Sequence, residues 1–319
     1  AVLFILSGFL LAGETANKIK PFTEKPVTFD ETWGYVSIAR SNEYNDSIPL
    51  TDVCFFSADV NCYGELISVP NRNAIEVNNK RTHMVFICES KSLTHFILSP
   101  GFSIRQNIID SLIEAAQDFD GLQLDLELVP EKDAENYLSF ISELKNKLEG
   151  KMLSICVPAR FKLLQNDVYP YAKLASLCDR IFVMAYDEHW AGGSPGPVAS
   201  VEWCEKVCTY AKKTIPKEKL IMGIPFYGRT WTDKTTSGAW YYSGANRIMN
   251  ENDCTDFYYD HNIPSFSFTT EVKVTGYMND THSVLTLCNL YKSKGIHKTG
   301  FWRIGQEDPE VWNYIKIKN

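Results

Sequence analysis

Positive charge is in short supply in this sequence, and it holds no cluster of metal-binding residues, no glycine-rich phosphate loop, no repeat and no low-complexity tract. Each shortage removes a class of function. Lys and Arg number 32 against 39 Asp and Glu, a net charge of -7 with no long basic block, which argues against a nucleic-acid or anionic-membrane surface. The nine cysteines are odd in number and scattered through apolar stretches, so neither a disulfide framework nor a zinc site is indicated. Cys204 and Cys208 lie one helical turn apart, but no histidine cluster accompanies them. No metal and no cofactor are expected. The first strand is not followed by G-x-G-x-x-G, which counts against a dinucleotide fold.

Long apolar runs are also scarce. The one at the start, "AVLFILSGFLLAGETA" (residues 1–16), holds an apolar core of about a dozen residues, short of the ~20 a spanning helix needs. That length suits an export signal, with a membrane tether or a buried segment as alternatives, and implies a secreted or envelope-held protein. Residues 17–29 read as a polar, proline-containing linker, and 30–319 as a single folded body. The chain is 45% apolar and 22% charged, the make-up of a globular protein.

What is present is alternation of strand-like and helix-like stretches. Apolar runs at 34–39, 53–60, 83–89, 122–129, 153–159, 181–187, 220–228 and 300–304 read as eight strands, with 95–99 taken into a helix. Amphipathic patterns at 104–118, 132–148, 168–177, 200–213 and 281–294 read as helices between them. Repeated strand–helix units imply a parallel sheet, and eight of them suggest an α/β fold of the closed (β/α)8 TIM-barrel type. About 232–276 is too long for a plain connection and reads as a small strand-containing insertion between strand 7 and helix 7, walling one side of the barrel mouth. The segment "VWNYIKIK" is expected beside the first strand.

One strand carries chemistry. In "DGLQLDLELVP" (120–130), Gln123, Asp125 and Glu127 alternate with Leu122, Leu124, Leu126 and Leu128. In a strand the two sets face opposite ways, so four leucines would pack outward while the polar trio climbs the barrel interior toward the mouth. Crowded inward carboxylates raise each other's pKa, which suits Glu127 to carry a proton with Asp125 supporting it. Alternating charge also marks solvated strand faces, so spacing alone leaves both readings open.

"FDGLQLDLE" resembles the D-G-x-D-x-D-x-E signature of glycoside hydrolase family 18, the chitinase-like barrels. "MAYD" (184–187), "GIPFYGRTW" (223–231) and "GFWRIGQED" (300–308) are similar to its motifs on strands six, seven and eight. "DEHWAGGSPGPVASVEW" (187–203) is similar to the bacterial branch with spore-cortex-lytic and peptidoglycan glucosaminidases. The resemblance implies a retaining β-N-acetylglucosaminidase acting by substrate-assisted catalysis on a β-1,4-linked polymer containing N-acetylglucosamine, with peptidoglycan ahead of chitin. Glu127 would be the acid/base, Asp125 would hold the acetamido N–H, and Tyr186 would bind the acetamido oxygen. Trp302 would floor the reacting sugar's subsite, Met184 would shape the pocket, and Asp187, Tyr227 and Arg229 would bind sugar groups; His189 and Trp190 lie in the adjoining loop. Gln123 departs from the family's usual Asp, and since an amide takes up no proton from Asp125, an altered pH profile is expected rather than loss of activity. A chitinase-like lectin that binds without turnover is the alternative. Neither an obligate protein partner nor an oligomer is expected.

Overall fold

The computed structural model describes residues 25–234, 241–254 and 256–318. The apolar opening segment and part of the expected linker lie outside these residues. Among the described residues no helix is long and apolar enough to cross a membrane.

Eight strands pair in parallel around a closed ring: β1 (Glu31–Ser37), β2 (Asp52–Val60), β3 (Arg81–Ile87), β4 (Gly121–Asp125), β5 (Met152–Pro158), β6 (Arg180–Met184), β7 (Leu220–Pro225) and β8 (Lys298–Trp302). Pairing of Gly300 with both Gly223 and Trp33 closes the ring from β7 through β8 to β1. All eight expected strands are therefore present. The helices α1 (Lys91–Leu98), α2 (Ser103–Ala115), α3 (Ala134–Lys147), α4 (Tyr171–Leu177) and α5 (Val201–Thr214) follow strands β3 to β6, and α6 (Tyr242–Glu251) and α7 (Thr281–Ser293) follow β7. The connections after β1 and β2 contain 3₁₀ turns in place of α-helices. Helix starts follow local chemistry: Ser90, Ser200 and Asp280 accept hydrogen bonds from the first-turn amides of α1, α5 and α7.

Two apolar layers hold the barrel. Outside the strands, Leu122, Leu124 and Leu126 join helix residues such as Ile108, Ile109, Phe140 and Ile141 in one buried layer. Inside, Trp33, Tyr35, Cys54, Val85, Cys156, Phe182, Met184 and Ile221 fill the bore, as side chains fill other closed barrels. Phe182 fits there because its neighbours are glycines: a Cβ at Gly300 would lie 2.4 Å from Phe182 Cε2, and one at Gly223 would lie 2.8 Å from Phe182 Cε1. Polar groups close the amino end. Asp52 accepts two hydrogen bonds from the Arg81 guanidinium at 2.7 and 2.8 Å and lies 2.7 Å from His83 Nε2, while Glu31 accepts from Arg180 at 2.6 and 3.0 Å.

Two expectations need correction. Leu128 is 43% exposed, because β4 ends at Asp125 and the alternation of faces ends with it. Val27–Phe29, read as linker, forms a strand paired in parallel with Ile315–Ile317, so the end of the chain packs on this outer strand and not on β1 itself. The insertion contains strands as expected, but it also contains α6, whose short apolar pattern gave little sign of a helix. Its strand Arg229–Thr232 pairs antiparallel with Val274–Tyr277, and a hairpin joins Asp256–Asp260 to Ile263–Ser267. Both turn residues of that hairpin, His261 and Asn262, have positive φ (47° and 65°), the backbone of a two-residue hairpin turn matched to strand twist.

Candidate active site

A cleft of about 700 Å³ opens at the carboxyl ends of the strands. Asp125, Glu127, Met184, Tyr186, Asp187, Tyr227, Arg229 and Trp302 all line it, so eight of the nine residues picked from the sequence converge on one space. Gln123 does not. It is fully buried, one inward position below Asp125 and therefore about 6.6 Å deeper along the strand, where its amide nitrogen donates to Ser154 Oγ at 3.1 Å. Its expected place as a substrate contact is corrected to a place in the polar layer under the site.

Asp125 is the last residue of β4 and is 8% exposed; Glu127 stands two residues on, open to the mouth. Burial, and then the charge of Glu127, push the Asp125 carboxyl up to about 7, with Glu89 adding to the rise and a hydrogen bond from the Cys156 thiol opposing it. The Glu127 carboxyl is also raised, first by loss of solvation and then by the charges of Asp187 and Glu89. The charge of Glu127 thus acts on Asp125, while the rise at Glu127 itself comes from burial and from Asp187 and Glu89. Burial drives the Tyr186 phenol far above its usual range, so it stays a hydrogen-bond donor at neutral pH.

The loop after β6 turns sharply at Asp187, whose φ of 60° is one that Asp tolerates better than most residues. Asp187 Oδ1 accepts from Tyr227 Oη at 2.6 Å and from Arg229 Nη2 and Nε at 2.6 and 3.0 Å. The Arg229 guanidinium also lies 5.2 Å from the Tyr227 ring centroid. These contacts tie the insertion's first strand to the β6 loop and fix one wall of the cleft. Trp302 lines the cleft, with its ring centroid 4.7 Å from that of Phe56 and 5.3 Å from that of Tyr35. His189 and Trp190 do not line the cleft: His189 Nδ1 lies 2.9 Å from the Pro197 carbonyl oxygen, and the Trp190 carbonyl accepts from Trp231 Nε1.

Phe56, Glu89, Trp203 and Gln306 also line the cleft and were not singled out from the sequence. Glu89 sits just beyond the carboxyl end of β3, so the rule that barrel chemistry gathers at strand ends was the signal available for it, whereas Phe56 lies mid-strand in β2, level with Ser37 at the end of β1, and carries no such signal.

Fold and cleft together define a closed parallel barrel whose mouth, at the carboxyl ends of the strands, is lined by acidic and aromatic side chains. Residues 38–307 match the sequence model of glycosyl hydrolases family 18, and the chain belongs to that family. It is 30% identical over 227 residues to a Bacillus subtilis protein named "Uncharacterized glycosylase YvbX", covering 66% of this chain and 65% of that one. It is 24% identical over 245 residues to the "Cortical fragment-lytic enzyme" of Bacillus anthracis, covering 71% of this chain and 56% of the relative. The chain thus spans just under two thirds of the first of these relatives and little over half of the second. Among solved structures, the Bacillus cereus spore cortex-lytic enzyme SleL superposes with a TM-score of 0.72 at 22% identity over 92% of this chain and 76% of SleL. A Chromobacterium violaceum chitinase superposes with a TM-score of 0.68 at 22% identity, over 89% of this chain and 97% of the chitinase. At that identity the superpositions speak to the fold alone.

Proposed function

We propose that the protein is a retaining glycoside hydrolase that cleaves β-1,4 bonds of polymers containing N-acetylglucosamine. The observation that carries this reading is the pairing of Asp125 and Glu127, both with raised pKa, in one cleft with Tyr186 and Trp302. Glu127, open to the mouth, protonates the glycosidic oxygen. The substrate's own 2-acetamido oxygen attacks the anomeric carbon as the bond breaks, giving an oxazolinium ion, and water activated by Glu127 then opens it with net retention. Asp125 accepts the acetamido N–H and stabilises the positive charge that develops, while Tyr186 donates to the acetamido oxygen. Trp302 stacks on the apolar face of the sugar, and the Asp187–Tyr227–Arg229 cluster presents hydrogen-bonding groups from the side.

Peptidoglycan is the favoured polymer, supported by the relatives named for cortical fragments and spore cortex. Chitin is second, supported by a partial match to human Di-N-acetylchitobiase, 29% identical over 147 residues. Such substrates place the action at the cell envelope or outside the cell. The rival reading is a sugar-binding barrel without turnover, for which the amide at Gln123 is the one favourable observation.

The test is the stereochemistry of the first product, read by proton NMR before mutarotation, with inhibition by a thiazoline analogue of N-acetylglucosamine. Retention with competitive inhibition supports the mechanism. Inversion, or retention untouched by the thiazoline, removes the substrate's acetamido group from the reaction; binding without any product favours the lectin.

A further inference from the structure

One acid in the cleft has no task in the mechanism. Glu89 lies two residues past Ile87, the last residue of β3, and lines the cleft with Asp125 and Glu127. Its place follows from the barrel's register. Val85 pairs with Gln123 and Ile87 with Asp125; Val85 and Ile87 face the bore, whereas Phe86 and Cys88 join the outer layer. The next inward position is Glu89 on one segment and Glu127 on the other, past the ends of adjoining strands that run about 4.8 Å apart. The two acids therefore stand at the same level of the barrel lip. Among the described residues no hydrogen bond and no ion pair engages the Glu89 carboxylate, and the residue is exposed. Charge is unbalanced around it. Glu89, Asp125, Glu127 and Asp187 line the cleft against one basic side chain among the described lining residues, Arg229. Arg229 is turned to Asp187, donating at 2.6 and 3.0 Å, so three acids face the open space without a cation. One of them is deep as well as unpartnered: Asp125 is 8% exposed, and its Oδ1 has no hydrogen-bond partner. A ligand that satisfies this lining brings hydrogen-bond donors and, at the lip, a positive charge.

We propose that Glu89 is a specificity-determining residue, its carboxylate receiving the ammonium group of a glucosamine unit next to the reacting N-acetylglucosamine. The preferred substrate is then a polymer in which part of the acetamido groups have been replaced by free amines. This inference rests on the hydrolase reading of the site, which assigns Glu127 to the glycosidic oxygen and Asp125 with Tyr186 to the acetamido group of the reacting sugar. That sugar must keep its acetamido group, because the group is the nucleophile. Its neighbour has no such obligation, and Glu89, one strand away from Asp125, is placed to meet it. Hydroxyls occur on every unit of the polymer and do not distinguish one from the next. A carboxylate separates an ammonium from a neutral acetamide by charge and forms charge-assisted hydrogen bonds with it. Glu89 also stands just before α1, where Ser90 caps the first turn, and a negative charge near a helix start stabilises the helix; that is the competing account of the residue.

The experiment uses the chitin tetramer and its singly de-N-acetylated isomers at about pH 6, where a sugar amine, like an α-amino group, is mostly protonated. Values of kcat/KM are measured for wild type, Glu89→Gln and Glu89→Asp, and equilibrium affinities for the same three in a Glu127→Gln background, so that no substrate is consumed. The readout is the ratio of each isomer to the fully acetylated parent, in which any general effect of a substitution on rate cancels. Wild type is expected to favour one isomer about threefold to fivefold, the scale of a partly exposed charge pair, and the preference is expected to shrink as salt is raised. Glu89→Gln, which keeps the size and removes the charge, is expected to bring the ratio to unity, and Glu89→Asp to retain part of it. No preference in wild type overturns the proposal, and so does a preference that survives in Glu89→Gln. A glutamine variant that only melts earlier, with the ratio unchanged, leaves Glu89 as a helix-start charge and also overturns it. If wild type cleaves none of these sugars, the hydrolase reading fails, and the affinity ratio still decides whether Glu89 selects an amine.

Discussion

Replacing Asp125 with asparagine should make the protein more stable at alkaline pH while abolishing turnover, and the size of the gain follows from the site. Unfolded, the carboxyl titrates near its ordinary value of 3.8; folded, it titrates at about 7. Below the lower value both states hold the proton and the group adds nothing. As pH rises between the two, the unfolded chain releases a proton that the folded chain keeps, so stability falls through that window and the full cost is present above pH 7. An interval of roughly three units corresponds to about 4 kcal/mol as an upper limit, and coupling to Glu127 brings the expected figure to about 2 to 4 kcal/mol. Asp125→Asn removes the ionisation and so the cost. The assay is thermal unfolding of wild type and variant at pH 4 and pH 8, where a gain of several degrees in Tm is expected at pH 8 and little at pH 4. A variant less stable than wild type at pH 8, or shifted equally at both pH values, would refute the claim that burial and Glu127 hold a strained charge on Asp125.

Two other outcomes test different links. Trp302→Ala should raise KM by about tenfold or more through loss of the stacking floor, with a smaller fall in kcat, as read by initial rates over a range of oligosaccharide concentrations. Gly300→Ala should cost about 1 to 3 kcal/mol by denaturant unfolding, because the added Cβ would lie 2.4 Å from the Phe182 ring inside a filled bore.

Much of the barrel was legible because a buried parallel strand is written as a short apolar run, and all eight runs became strands. The paired acids were legible for the same reason: a period of two on β4 puts Gln123 and Asp125 on the inner face, and Glu127 continues that direction just past the strand end. The same rule misled at Leu128, where the strand had already stopped. Gln123 was misassigned because depth along the strand is invisible in the spacing; an inward residue is in the cleft or under it according to how far β4 extends. Glu89 was missed because it lies just past the end of the adjoining strand β3, outside any alternating pattern, and an isolated acid in a loop carries no local mark of facing the cleft. The strand Val27–Phe29 has the same explanation, since its only reason to form is a partner at the other end of the chain.

The most direct test of the central claim is hydrolysis of purified peptidoglycan and of chitin oligosaccharides by wild type and Glu127→Gln, with products read by mass and by the identity of the reducing end. Loss of the acid should lower the rate about 10²- to 10⁴-fold, and wild-type peptidoglycan products should end in reducing N-acetylglucosamine. Cleavage that survives the substitution, or sugar binding with no cleavage of either polymer by wild type, would contradict a glycosidase built around Glu127.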